Sequence, residues 1–176
     1  MVQNEYSEFN NFIMQTIKAN ILVILLILVF SGYVHSQGYE FDQGLTTAKS
    51  QNKMVLIYIY TEGDRWCDKM VSEVYSKPEV QKALNDFIFI KLNAGSANNY
   101  TYNNEKLSAT NLSKKLGVMS YPTHVFMNPD GSQISFNYNG MSVNNIPGFL
   151  DEEDFSAMLN YMKTGKYKSE DLSKYF

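Results

Sequence analysis

The segment Gly63-Asp64-Arg65-Trp66-Cys67-Asp68-Lys69-Met70 carries the single cysteine of this 176-residue chain. A lone thiolate can open a disulfide, but a second thiol is needed to release the mixed disulfide that forms. Cys67 therefore supplies at most half of an exchange cycle. An ordinary cysteine, with a pKa of about 8.5, is mostly protonated at neutral pH unless a helix N-terminus or nearby cations stabilise its anion. Here Glu62, Asp64 and Asp68 stand against Arg65 and Lys69. Asp64, three residues ahead of Cys67, is placed to cap a helix through the Cys67 N–H and so to occupy the positive helix end that a thiolate would use. A raised Cys67 pKa is the expectation. Metal ligation would find one partner beyond the N-terminal region, His124. A lone histidine in a predicted strand is more often packed or solvated than a ligand, and neither a metal nor a cofactor is expected.

The flanking segments must hold this stretch in place. Met54-Val-Leu-Ile-Tyr-Ile-Tyr60 is β-branched and aromatic with almost nothing polar, the pattern of a strand covered on both faces. Such a strand implies a sheet packed between helices, an α/β class. After the site, Trp66, Met70 and Val74 recur at intervals of four, with Cys67, Val71 and Tyr75 in a row beside them, which predicts a helix with a broad apolar face. Asp42 to Lys53 reads as a short first helix, Pro78 to Leu84 as a separate helical turn, and Phe87 to Leu92 as the next strand. From Asn93 to Thr110 the chain has little periodicity and reads as an Asn-rich surface insertion, at about 93–110, leading into a helix near Leu107 to Leu116. Asn99-Tyr-Thr and Asn111-Leu-Ser match the glycosylation sequon, a match of little weight where abundant lysine and asparagine point to an AT-rich bacterial genome. Asn128-Pro-Asp-Gly131 has turn chemistry. With Ile134, Phe136 and Tyr138 alternating after it, it predicts a hairpin of two antiparallel strands. A last helix starts at Asp151, aligns Phe155, Met158, Leu159 and Met162, and ends at Lys163 and Gly165. No internal repeat or interdomain linker is visible.

In this order the segments resemble the thioredoxin-like superfamily, and within it the secreted, thiol:disulfide interchange-like branch. In that family a Cys-x-x-Cys pair sits where a buried strand gives way to a helix. Reading Cys67 as the second cysteine puts Asp64 in the place of the first. It also lays Asp68-Lys-Met70 on the branch's Lys-Lys-Met and Tyr75-Ser-Lys-Pro-Glu-Val80 on its aromatic-Ser-Asp-Pro-x-Val segment without a gap. The other register takes Trp66-Cys67 as the Trp-Cys that opens an ordinary site, with Met70 replacing the second thiol. Leu116-Gly-Val-Met-Ser-Tyr-Pro-Thr123 resembles the family's Gly-Val-x-x-x-Pro-Thr signature. The resemblance covers about residues 40 to 168. It implies a thioredoxin-like fold with a central mixed β-sheet flanked by helices, a cis Pro122 facing the site, and an extended peptide held beside Trp66, Tyr121 and Pro122 by the backbone of the residue before the proline.

Ile21-Leu-Val-Ile-Leu-Leu-Ile-Leu-Val-Phe30 follows Lys18, and Val34-His-Ser36 offers small residues for cleavage, so residues 1–36 read as a signal peptide cut after Ser36, with Met14 as an alternative start. Residues 37–176 then form the thioredoxin-like domain. A membrane span needs roughly 20 apolar residues. The run falls short of that unless Tyr33 and Val34 extend it, and an uncleaved anchor over 21–34 is the alternative. The location expected is periplasmic or secreted. A formal net charge of −3 with one arginine is no footprint for nucleic acid. A single cysteine leaves no internal disulfide, so stability must come from the core.

Three readings stay open. The first is a non-catalytic or weakly redox-active module that binds a peptide or protein client around Trp66, Tyr121 and Pro122. The second is a monothiol oxidoreductase that forms a mixed disulfide through Cys67. The third is an accessory subunit that makes its contact through the Asn-rich insertion. Against these stand two plainer alternatives: Cys67 as an inert, half-buried helix residue, and Trp66 with Tyr121 as a roof over the site.

Overall fold

The computed structural model describes residues 38–176, with Met14 and Thr16 farther up the chain. The apolar run 21–30, the anchor reading over 21–34 and the cleavage expected after Ser36 lie outside the described residues. Among the described residues no helix is long and apolar enough to cross a membrane.

In chain order the elements are α1 (Phe41–Gln51), β1 (Val55–Tyr60), α2 (Arg65–Lys69) running on into a π-helical segment (Met70–Tyr75), α3 (Pro78–Leu84), β2 (Ile88–Asn93), β3 (Asn99–Tyr102), β4 (Glu105–Ser108), α4 (Ala109–Lys115), β5 (Thr123–Met127), β6 (Phe136–Tyr138), β7 (Met141–Val143), β8 (Asn145–Pro147) and α5 (Glu152–Lys163). Short 3-10 turns at Lys166–Lys168 and Leu172–Lys174 follow. The central sheet has the order β2-β1-β5-β8, with β1 parallel to β2 and antiparallel to β5, and β8 antiparallel to β5. It is a mixed sheet flanked by helices: the apolar strand β1 implied the flanking helices, and the family resemblance the mixed sheet.

Strand alternation sorts the core into two layers. Leu56 and Tyr58 of β1, with Phe89 and Phe126 beside them in register, face one side, where α2, the π segment, α3 and α5 contribute Cys67, Met70, Val80, Phe155 and Met158. Val55, Ile57 and Ile59 face the other, against Phe41 and Ala48 of α1 and Leu112 of α4. All five β1 residues from Val55 to Ile59 are fully buried, which is why the strand carries no polar face to water. Helix α1 lies so close to β2 that a Cβ on Gly44 would overlap the Ile90 side chain. Helix α5 follows the expected pattern: Asp151 accepts from the Asp154 N–H at 3.0 Å, and the chain leaves through Gly165 in the left-handed region at φ 75.

Two expectations need correction. Asn93 to Thr110 is not irregular throughout: it holds the β3–β4 hairpin, turned by Asn103 and Asn104 at φ 52 and 61. Tyr100 and Tyr102 of that hairpin pack edge-on against Phe41 at 5.8 and 5.9 Å, and the helix after it begins at Ala109, not Leu107. The outward residues Asn99, Thr101, Glu105 and Lys106 are polar, so the two tyrosines supply the alternation in a sequence that otherwise looks like loop. The second correction concerns the hairpin expected after Gly131. A bridge between Met127 and Gln133 and a 2.9 Å bond from the Ile134 N–H to the Phe126 carbonyl start it. The chain then turns away, β6 pairs with β7, and β8 takes the place beside β5. Asp171 fastens the C-terminal segment to the β6–β7 turn by accepting from the Asn139 and Gly140 N–H groups at 3.0 and 2.7 Å. The Gly140 bond foremost, then those from the Ser173 hydroxyl and N–H, hold its carboxyl down at about 2.

The close approach of α1 to the sheet can be tested directly. Gly44→Ala should lower stability by about 1–3 kcal/mol through overpacking against Ile90, read as a shift in the urea midpoint, and Ile90→Val in the same chain should recover part of it. An unchanged midpoint for Gly44→Ala would place the helix farther from the strand.

Candidate functional site

The site begins where β1 ends. Thr61 to Asp64 make the turn, Asp64 is extended at φ −79 and ψ 120, and its Oδ1 accepts from the backbone N–H groups of Trp66 and Cys67, both at 2.9 Å. Two otherwise unpaired helix donors are thus satisfied by one carboxylate. The bond from the Cys67 N–H is the first cause that holds the Asp64 carboxyl below its ordinary range. Cys67 itself is 2 % exposed. Burial pushes its thiol pKa up, and Asp64 pushes the same way by hydrogen bonding and by charge, against opposing hydrogen bonds from the Thr61 backbone and the Tyr58 hydroxyl. The net direction is the raised one expected from the sequence.

The helix does not keep the two predicted rows. After Lys69 the bonding widens to the π pattern, and Cys67, Met70, Val74 and Tyr75 are buried while Trp66 and Val71 stay 40 % and 45 % exposed. The wider turn shifts the phase of the buried face and leaves Val71 in solvent. It also delivers Tyr75 to His124: the Tyr75 hydroxyl lies 2.7 Å from Nε2. His124 is fully buried in β5 among Tyr58, Tyr75 and Phe155. Nδ1 has no hydrogen-bond partner among the described residues, and burial drops the ring pKa to about 3. Tyr58, one strand away, donates to the Cys67 carbonyl at 2.9 Å and ties the start of α2 to the centre of the sheet. Sequence reasoning gave neither hydroxyl a partner: Tyr58 reads as part of an apolar strand and Tyr75 as part of the apolar helix row. The signal available was a tyrosine inside an apolar strand or face, whose hydroxyl needs a partner when buried.

Pairing of Ile59 with Thr123 sets Pro122 beside the end of β1, from which the 61–64 turn runs to Cys67. The Tyr121–Pro122 peptide is cis. Pro122 is buried, and half-buried Tyr121 packs against both core layers. The link from Trp66 to this loop runs through a residue that the sequence did not flag. Phe149 lies 5.8 Å from the Trp66 ring, and its neighbour Gly148 donates to the Pro122 carbonyl at 2.7 Å. Phe149 lies in no periodic pattern and could not have been singled out. Arg65 and Lys69 stand over these rings, Arg65 at 4.5 Å from the Trp66 centroid and Lys69 at 4.4 Å from that of Phe149. Among the described residues no ring contact joins Trp66 directly to Tyr121, and no hydrogen bond uses the Tyr121 N–H or C=O. No cluster of three metal-ligating side chains occurs among them either.

A mixed sheet whose central strand launches a helix at a cysteine-bearing turn, beside a cis-proline loop, is a thioredoxin fold. Solved structures agree. A thioredoxin-fold protein from Helicobacter pylori aligns with a TM-score of 0.57 at 21 % identity over 70 % of this chain and 80 % of that one. A thioredoxin from Thermus thermophilus aligns with 0.52 at 20 % over 70 % and 84 %. The chain belongs to the thioredoxin-like domain family, whose model matches residues 41–163, and with one cysteine its copy of the two-thiol motif is degenerate. It is 31 % identical over 121 residues to the thiol:disulfide interchange protein DsbD of Salmonella typhimurium and 30 % over 120 residues to that of Klebsiella pneumoniae. These alignments cover 69 % and 68 % of this chain but 18 % and 17 % of the relatives, so the chain spans less than a fifth of their length.

The buried histidine gives a pH dependence with a definite sign. Unfolded, His124 takes up a proton below about 6.5; folded, it stays neutral down to about 3. Between those limits the unfolded chain binds the extra proton, so His124 makes the fold lose about 1.4 kcal/mol for each unit of acidification. In urea unfolding at pH 7, 6, 5 and 4, the stability of the native chain relative to His124→Phe should fall with that slope from near 6.5 downward. Parallel curves would mean that the histidine is solvated.

Proposed function

We propose that this chain is an exported thioredoxin-like protein that binds an extended peptide or protein segment without running a dithiol cycle. The observation that carries the reading is the pairing of two facts at one end of β1. The backbone N–H and C=O of Tyr121 are unused by the described residues, beside a half-exposed aromatic pair, while the one thiol is buried and driven toward its protonated form. Free backbone groups next to an apolar platform suit strand-like peptide addition. A protonated thiol next to a carboxylate does not suit attack on a disulfide.

Trp66, Tyr121 and Pro122 are the peptide-binding residues in this reading, and Asp64 holds the place of the missing cysteine. Export follows from the leader read in residues 1–36. Cys67 as a monothiol in disulfide exchange is the second reading, favoured by the Thr61 and Tyr58 hydrogen bonds that oppose the rise of its pKa.

An insulin-reduction assay with a dithiol donor separates them. The full chain should give essentially no turnover, and a clear rate that disappears in Cys67→Ser would reject the binding-module reading. Asp64→Cys should gain dithiol activity, because the Asp64 side chain already reaches the Cys67 N–H, while losing about 1 kcal/mol of capping stability. Failure to gain activity in a folded Asp64→Cys protein would show that position 64 is not the vacant cysteine position.

A further inference from the structure

Arg65 is the only arginine in the chain, and no carboxylate among the described residues lies within ion-pair distance of it. Its guanidinium instead stands over the exposed Trp66 ring at 4.5 Å. Lys69 completes the arrangement. Its Nζ is 4.4 Å from the Phe149 centroid and 5.6 Å from that of Trp66, with Glu73 as counter-ion at 3.6 Å. Arg65, Trp66, Lys69 and Glu73, with Asp68 and Ser72, border a shallow open depression of about 490 Å³, and Phe149 lies outside its lining.

The attraction of a cation to a ring face is modest at an exposed site but biases Arg65 toward one station. A guanidinium held over a ring keeps its planar fork of donors free, and that fork matches a carboxylate through two parallel N–H bonds. Because the fork is pre-organised, less rotamer freedom is lost when it closes on an anion. Asp68 lies one helical turn beyond Arg65 and Glu73 farther along, while Asp64, beside Arg65 and lowered by the Cys67 N–H first and by the Arg65 charge as well, already uses Oδ1 to accept from the Trp66 and Cys67 N–H groups. Of the two cations Lys69 has its counter-ion in Glu73, so the place left for a negative group is the Arg65 guanidinium over the Trp66 ring. A basic partner would meet two cations over these rings.

Building on the peptide-binding reading above, we propose that the partner is an extended peptide segment with a carboxylate side chain next to an apolar one. Arg65 takes the carboxylate, and the Trp66–Phe149 pair takes the apolar side chain. The assignment concerns partner chemistry and uses no thiol step.

The probes are three end-blocked hexapeptides, Gly-Xaa-Phe-Val-Xaa-Gly, with Xaa as glutamate, glutamine or lysine, titrated into the full chain. Trp66 is the only tryptophan, so its emission reports occupancy of the patch, and anisotropy of the labelled peptides gives the affinity. The glutamate peptide should bind roughly threefold to tenfold tighter than the glutamine one, the lysine peptide weakest, with the difference shrinking as salt rises. Arg65→Gln, checked for an unchanged unfolding midpoint, should bring the glutamate peptide down to the affinity of the glutamine peptide. Equal binding of all three, or an acidic preference that survives Arg65→Gln, overturns the acidic partner and leaves peptide capture standing. If no peptide binds and the emission does not move, both readings fall.

Discussion

Two groups compete for the same backbone donors at the start of α2, and the outcome governs the rest of the site. A helix N-terminus has N–H groups to give and a partial positive charge. In a thiol enzyme these favour a thiolate. Here the Asp64 carboxylate holds the N–H groups of Trp66 and Cys67, and its full negative charge sits beside the thiol. The helix gains a strong cap, and the sulfur loses the environment that would ionise it. Stability of the turn and reactivity of the thiol therefore run in opposite directions at this position.

The cap has this effect because the sheet positions it. β1 is buried on both faces, and its C-terminal end is flanked by β5, so the turn at 61–64 and the loop at Tyr121–Pro122 emerge side by side. Tyr58 reaches from the middle of β1 to the Cys67 carbonyl, and the Phe149 loop is pinned to Pro122 through Gly148. The geometry of the site is thus inherited from strand register and a few hydrogen bonds, and it does not require a second sulfur. With a single cysteine the chain lacks the two-thiol pair, and the surface around that position is formed without it.

Much of this was legible in the residues. The continuous apolar run at 54–60, β-branched and aromatic, read as a doubly covered strand, and Asp64 three positions before Cys67 announced its own bond. Val71 was misplaced because a period of 3.6 was assumed where the chain widens to a π turn, and no residue type marks that widening. The hairpin at 99–108 was missed because its inward face is tyrosine and its outward face asparagine and threonine, a composition shared with loops. Phe149 and the Tyr75–His124 pair depend on contacts between residues far apart in the chain, 83 positions for Trp66–Phe149 and 49 for Tyr75–His124. Local pattern carries no trace of such distances.

The depth of Cys67 also bears on how the protein behaves in air. Exposed thiols slowly pair between molecules, and a preparation drifts into covalent dimers. A sulfur at 2 % exposure, kept in its protonated form and without a neighbour to pair with, offers oxygen and other molecules little to act on. The folded chain can meet an oxidant without its one thiol forming a bond between molecules.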